Sequence, residues 1–332
     1  MVLASRATSC LVGGALGDAL GYPVEFVSTG AAIVAAHGED APERLIRCSD
    51  GQVHVSDDTQ MTLFTCEGLT LAIRDKGALE SVHAAYQRWL WTQMPTRFDR
   101  PEVGMLLDVD ALIARRAPGN TCLSALMENV QSQRMPTVAS PPNDSKGCGA
   151  IMRSAPFALW AKTRGEAFEL ARDTGVLTHG HPSGYLSAAY FASVVFDLAH
   201  DTSLAHAMHE ADALLAHEVG HEETAHAIEV ARAMSSSPGF KAIESLPNGG
   251  WVGEWALAIA IAVANDVDVT DEHAVARAIW RAAAHGGDSD STASLTGNLL
   301  GAMGARFPEA WLRDLEMRDV IERVAAALVS AC

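Results

Sequence analysis

Apolar residues recur along this chain at intervals of three and four, the spacing of one face of an α-helix. Met61, Leu63, Phe64 and Leu71 follow it, as do Leu186, Tyr190, Val194 and Leu198. The strict alternation of a half-buried strand is nearly absent. Alanine is abundant and favours helix. The breaks fall in short clusters such as Pro118-Gly119-Asn120, Pro141-Pro142-Asn143-Asp144 and Pro247-Asn248-Gly249-Gly250, whose residue types end helices and form turns. None reads as a domain linker, and no fixed-period repeat is present. The pattern therefore predicts an all-α fold in a single domain, residues 1–332. The run from Met135 to Gly149 reads as the longest non-helical stretch and a candidate binding loop, because long ordered loops in compact domains are often functional.

Composition narrows the classes of function. An apolar share of 48% in 332 residues suffices for a packed core. A formal charge of −17 opposes an extended nucleic-acid surface, which needs contiguous Lys and Arg. A local positive pocket or a bound cation could still receive a diphosphate. Cys10, Cys48, Cys66, Cys122, Cys148 and Cys332 are scattered without a C-x-x-C pair, which reads as reduced thiols of an intracellular protein. The apolar run Leu11 to Leu20 is interrupted by Asp18 and follows no basic leader. The run Trp255 to Ala264 stops at Asn265 and is too short to span a bilayer. The expectation is a cytoplasmic monomer with no membrane partner.

Four places carry more polar chemistry than packing requires. In Val55-Ser56-Asp57-Asp58-Thr59-Gln60, Ser56 suits an N-cap and the acids suit a first helical turn, so capping alone is an adequate explanation. Gly286-Gly287-Asp288-Ser289-Asp290-Ser291 has the same form. Taken together, each cluster offers two short carboxylates and a hydroxyl at a helix start, an oxygen set suited to magnesium or manganese. If the two clusters meet, four carboxylates without a cation would raise one another's pKa values.

The third place joins two small-residue stripes to acids. Gly13, Gly17 and Gly21 recur every fourth residue, as do Ala293, Gly297 and Gly301, which permits close helix packing. The first stripe leads into Asp18 and, past the helix-ending Pro23, into Glu25. On its own Glu25 reads as a plain surface acid. The fourth is Ser145-Lys146-Gly147-Cys148-Gly149-Ala150-Ile151-Met152-Arg153, where glycines ahead of a helix allow backbone N–H groups to approach an anion. A simple loop-to-helix turn explains it equally, and it is neither a Rossmann nor a P-loop pattern.

In order along nearly the whole chain, these residues resemble the ADP-ribosylglycohydrolase (ADP-ribosylhydrolase) family. The resemblance runs through 14–21 with Glu25, Ser56-Asp57-Asp58-Thr59, Arg116-Ala117-Pro118-Gly119-Asn120-Thr121, Lys146-Gly147-Cys148-Gly149 with Met152-Arg153, Thr178-His179, Gly250-Trp251-Val252 with Glu254, and 286–291. It implies an orthogonal helical bundle with a binuclear Mg2+ or Mn2+ site in a central cleft, cleaving ADP-ribose from a modified acceptor. Carried over by position, Ser56, Asp57, Asp58, Asp288, Asp290 and Ser291 are implied metal ligands. Glu25, Asp57 and Asp290 are the implied catalytic acids, and Gly147, Cys148, Gly149 and His179 the implied ADP-ribose contacts. Cys148 departs from the asparagine common between those glycines, and serines replace the usual threonines at 56 and 291 while keeping the hydroxyl. The implied partners are an ADP-ribosylated protein or small molecule, arginine being the favoured acceptor, and the product ADP-ribose.

Two other readings stand beside it. His217-Glu218-Val219-Gly220-His221 matches H-E-x-x-H, which on a helix sets two imidazoles for zinc with a glutamate as base, as in a zinc peptidase. Gly220 weakens such a helix and the surroundings are rich in His and Glu, so a solvated helix face is expected instead. A non-catalytic ADP-ribose-binding or immunity-type relative is the third, since one fold serves several ends. Acids at every implied metal position speak against it.

Overall fold

The computed structural model describes residues 2–72, 77–234 and 238–331, so Cys332 lies outside the described residues. The chain folds as helices throughout: α1 (Val2–Gly21), α2 (Gly30–His37), α3 (Asp57–Leu71), α4 (Ala78–Gln93), α5 (Asn120–Ser132), α6 (Ala155–Trp160), α7 (Arg164–Gly175) and α8 (Pro182–Ala199). The second half continues with α9 (Leu204–Leu215), α10 (Glu222–Ala233), α11 (Phe240–Glu244), α12 (Gly253–Ala264), α13 (Glu272–Ala283), α14 (Ser289–Ala302), α15 (Glu309–Asp314) and α16 (Arg318–Ser330). Among the described residues no strand forms; Thr137 with Ser140, and Gly147 with Val252, make isolated bridges.

The predicted helical faces are the buried ones. Met61, Leu63 and Phe64 of α3 and Leu186, Tyr190, Val194 and Leu198 of α8 lie in the core. Leu71, at the end of α3, is 41% exposed. The Trp255–Ala264 run belongs to α12, whose residues are buried almost throughout as a central core helix. No helix among the described residues is long and apolar enough to cross a membrane. Cys10, Cys48, Cys66, Cys122 and Cys148 are free thiols.

What brings the distant ends of the chain together is a seam of small residues. A Cβ added to Gly13 would stand 2.3 Å from the Gly297 carbonyl oxygen, one on Gly17 2.0 Å from that of Ala293, and one on Gly21 2.3 Å from that of Ser289. On the facing helix, a Cβ on Gly301 would stand 2.2 Å from the Ser9 oxygen. As numbers rise along α1 they fall along α14, so the helices run antiparallel with backbones nearly touching. The C-terminal end of α1 is thus fixed beside the N-terminal end of α14, where the second acid cluster begins.

The stretch 38–56 carries no helix and is longer than the one from Met135 to the Cys148–Ala150 turn. The H-E-x-x-H residues lie on no helix: α9 ends at Leu215, Gly220 has φ +79°, and His221 is the N-cap of α10. Without a common helical face the two imidazoles cannot be set for zinc. Glu218 pairs instead with Arg172 at 2.7 Å, and its carbonyl oxygen bonds His221 Nδ1 at 2.8 Å.

Candidate active site

The site is built around two helix starts. Ser56 is the N-cap of α3, its Oγ accepting the Asp58 N–H at 3.1 Å, so the capping role read from the sequence is realised. An acid completes the cap from another helix. Asp18, on the last turns of α1 and fully buried, accepts the Ser56 N–H at 2.9 and 3.0 Å, the Thr59 N–H at 3.1 Å and the Thr59 hydroxyl. These backbone donors have no partner within α3. Burial, with the nearby Asp290 charge, pushes the Asp18 carboxyl up to about 7, against the pull of its hydrogen bonds from Thr59 and Ser56. Asp18→Ala is expected to cost about 3 kcal/mol by leaving these donors unpaired in the core. An unchanged melting temperature in that variant would show that α3 is held some other way.

This cap orients Asp57 and Asp58 into a cleft of about 680 Å³. The Asp57 N–H donates to the Arg116 oxygen at 3.0 Å, and its Oδ2 accepts the Gly119 N–H at 3.2 Å. Opposite, Asp288 stands at the N-cap position of α14 without a side-chain capping bond; its N–H donates to the Gly249 oxygen at 2.8 Å, and its Oδ2 accepts the Cys148 thiol at 2.7 Å. Asp290 Oδ1 accepts the Ser291 N–H at 2.9 Å, and its carboxyl also bonds the Ser56 side chain. Ser56 itself is fully buried beneath the cleft, whereas Asp57, Asp58, Asp288, Asp290 and Ser291 line it.

Glu25 is no surface acid. The α1–α14 seam and the Tyr22–Val24 turn carry it into the cleft, where it is 7% exposed. Oxygens of Glu25, Asp288 and Asp290 lie within 4.8 Å of one another. Burial, then the charges of Asp290, Asp288, Asp57 and Asp18, push its carboxyl up to about 10. Burial followed by the Asp290 charge likewise holds Asp57, Asp58 and Asp288 well above the usual carboxylate range. Arg115 is the single Lys or Arg among the lining residues, and it is exposed.

Buried carboxylates need compensation. Glu25 Oε2 and Asp58 Oδ2 are buried with no hydrogen-bond partner. Hard oxygen donors left unsatisfied around a shared space are what a divalent cation requires.

The remaining predicted contacts form the opposite wall. Gly147, Cys148, Gly149 and His179 line the cleft, whereas Lys146 faces away and pairs with Glu223 at 2.7 Å and Glu254 at 3.1 Å. A Cβ on Gly149 would strike Cys122 Sγ at 2.7 Å and the His179 ring at 2.8 Å, so a glycine is needed for the turn to lie this close. The Cys148 thiol is pushed well above its ordinary range by burial and by Asp288 and Asp58; it is a donor to Asp288. Of the candidate binding loop, 147–149 reach the cleft, while Pro136 to Ala139 border a separate surface pocket.

Asp18, Phe26 and Trp251 reach the site without a local sequence pattern that assigns them a role. Phe26 is 74% and Trp251 43% exposed at the cleft mouth, their rings 6.4 Å apart and 24° from parallel. Nothing in a sequence window separates an exposed aromatic from a core one. For Asp18 a signal existed: an acid inside an apolar stretch of helix, directly after Gly17 and three residues before Gly21 of the glycine stripe, implies a buried partner.

A helical fold whose acids close on one cleft defines a class that comparison with known proteins makes specific. The profile of the ADP-ribosylglycohydrolase family matches residues 1–332, and the chain belongs to that family of glycosidic-bond hydrolases. The ADP-ribosyl-[dinitrogen reductase] glycohydrolase of Rhodospirillum rubrum is 26% identical over 336 aligned positions, covering 98% of this chain and 96% of that one. A solved structure described as an ADP-ribosylglycohydrolase-related protein complex superposes with a TM-score of 0.70 at 20% identity, covering 99% of this chain and 98% of the other. At that identity the likeness speaks to the shared all-α fold.

Proposed function

We propose that the whole chain acts as one catalytic domain that hydrolyses the bond between the distal ribose of ADP-ribose and an acceptor, with two Mg2+ or Mn2+ ions in the cleft. The observation that carries this reading is the meeting of Glu25, Asp288 and Asp290 within 4.8 Å, beside Asp57 and Asp58, with buried oxygens left unpartnered. Asp57, Asp58, Asp288 and Asp290 would hold the cations, with Ser56 and Ser291 supplying hydroxyls. Bound there, divalent ions supply Lewis acidity that orients ribose hydroxyls and acidifies a water.

The chain's own residues do the rest. Glu25 is the general base: its Oε2 is buried without a hydrogen-bond partner, and once bound cations offset the neighbouring acids it would be ionised and free to take a proton from water. Its carboxylate, with that of Asp290, stabilises the oxocarbenium-like centre left as the acceptor departs. Gly147 and Gly149 let backbone approach the ribose-diphosphate portion, His179 contacts it, and the Phe26–Trp251 pair offers a planar face to a base. An acid-rich cleft suits a guanidinium leaving group, which favours ADP-ribosyl-arginine over serine. The Rhodospirillum relative, by its name, acts on an ADP-ribosylated protein, and a modified protein is the proposed substrate here.

The test is release of free ADP-ribose from ADP-ribosylated arginine and serine conjugates, with Mg2+, with Mn2+ and with EDTA. Release that requires the cation and is fastest from arginine is the expected result. Binding of ADP-ribose without any release would replace the hydrolase with a non-catalytic binder.

A further inference from the structure

Arg153 follows the Cys148–Ala150 turn and is 1% exposed, yet makes no ion pair among the described residues. Its guanidinium lies 4.2 Å from the centre of the Tyr86 ring. It contacts Met61 Sδ at 3.3 Å and Cys122 Sγ at 3.7 Å, and donates to Thr178 Oγ1 at 2.6 Å. Thr178 Oγ1 in turn lies 2.8 Å from His179 Nδ1.

The direction of each bond follows from what each group can do. Guanidinium only donates, so Thr178 accepts from it and keeps its own proton for a second partner. His179 Nδ1 and the sulfur of Cys122 compete for that proton. An imidazole nitrogen is a far better acceptor than a thiol sulfur. The Arg153 charge also lies on the Nδ1 side of the ring, where it favours a lone pair over an N–H dipole.

We propose that Arg153 and Thr178 are positioning residues that fix His179 as the neutral tautomer bearing its proton on Nε2, a hydrogen-bond donor aimed at the Gly147–Gly149 turn. His179 Nε2 lies 3.3 Å from where a Cβ on Gly147 would stand and 3.2 Å from one on Gly149, so the N–H faces the space that those glycines leave open. Burial and the Arg153 charge hold the imidazole down at about 3, which leaves the tautomer as its remaining freedom. A neutral donor there meets a phosphate or hydroxyl oxygen of a nucleotide sugar and cannot surrender its role to protonation. This ligand assignment rests on the proposed function; the tautomer does not.

Long-range 1H–15N correlation spectra of the histidine-labelled full chain, without ligand, read the tautomer directly. His179, assigned by its loss in His179→Gln, is expected to show a protonated Nε2 and an acceptor Nδ1. Thr178→Val should destroy that single pattern and weaken ADP-ribose binding about tenfold, and Thr178→Ser should restore both. A wild-type spectrum with the proton on Nδ1 overturns the proposal even if the valine variant is unstable, as does an unchanged pattern in a folded Thr178→Val chain. Failure of ADP-ribose to bind the wild-type chain would instead count against the hydrolase reading, with the tautomer still decided by the ligand-free spectrum.

Discussion

Asp290→Asn is expected to lower kcat for ADP-ribose release by about a thousandfold while raising the melting temperature of the cation-free protein. The two signs differ because one side chain does two things. Asp290 faces the cleft with Glu25, and after burial its charge is the largest influence raising Glu25, Asp57, Asp58 and Asp288. Neutralising it removes a cation ligand and a stabilising negative charge, and relieves repulsion in the same stroke. Thermal melts in EDTA and turnover in Mg2+ or Mn2+, on one preparation, separate these effects. A variant that keeps its turnover would remove Asp290 from the chemistry, and one that melts lower in EDTA would show that the acids do not strain the fold.

The same repulsion gives the cation-free protein a pH dependence whose sign is set. A carboxyl whose pKa is raised by folding keeps its proton where the unfolded chain has released it, so stability falls as pH rises across that window. For Asp18 the window runs from 3.8 to about 7, and for Glu25 from 4.5 to about 10. Melting temperature in EDTA should therefore drop steadily from about pH 5 to about pH 8. Saturating cation binds the deprotonated acids and should flatten that slope, adding about 2.7 kcal/mol at a hundredfold excess over Kd.

Gly17→Val is expected to have a large structural effect. Even a Cβ at this position would stand 2.0 Å from the Ala293 oxygen and 2.3 Å from its carbonyl carbon. Both are backbone atoms, which cannot rotate aside. Two long helices would have to separate, opening the cleft at its floor, and the cost exceeds the roughly 3 kcal/mol of ordinary overpacking. Gly165→Ala is the control: at the start of α7 its Cβ would meet nothing nearer than 4.0 Å, and it should be neutral or stabilising by up to about 1 kcal/mol. Chemical denaturation of the two variants checks both. Near-native stability in Gly17→Val would mean that the α1–α14 seam does not hold the site together.

Local rules were enough for some of this architecture. Ser56 followed by two acids and an apolar period specifies a capped helix, and α3 begins there. Leu186, Tyr190, Val194 and Leu198 specify a buried face, and α8 buries it. The candidate acids were legible as a type, carboxylates at helix starts, because capping and cation binding demand the same oxygens. Their convergence was not, since it depends on Gly13, Gly17 and Gly21 meeting Gly297, Ala293 and Ser289 across some 270 residues of chain, and small residues carry no signal of which partner they face. Glu25 looked like a surface acid because its burial comes from that distant helix. The 217–221 motif misled in the opposite way: its spacing has meaning on a helix alone, and Gly220 turns the chain out of one. Arg153 and Thr178 sat within recognisable motifs, but only their distances to each other and to His179 reveal a chain of directed bonds.

The seam between the first helix and the fourteenth also bears on when this protein can begin to work. During synthesis the glycine face of α1 must wait, unmatched, until some 280 further residues have been translated. Until α14 emerges, Glu25 has no neighbours from the second cluster and the oxygens cannot close around a common centre. Nascent chains should therefore gain activity in one step, when α14 has been translated and can close on α1.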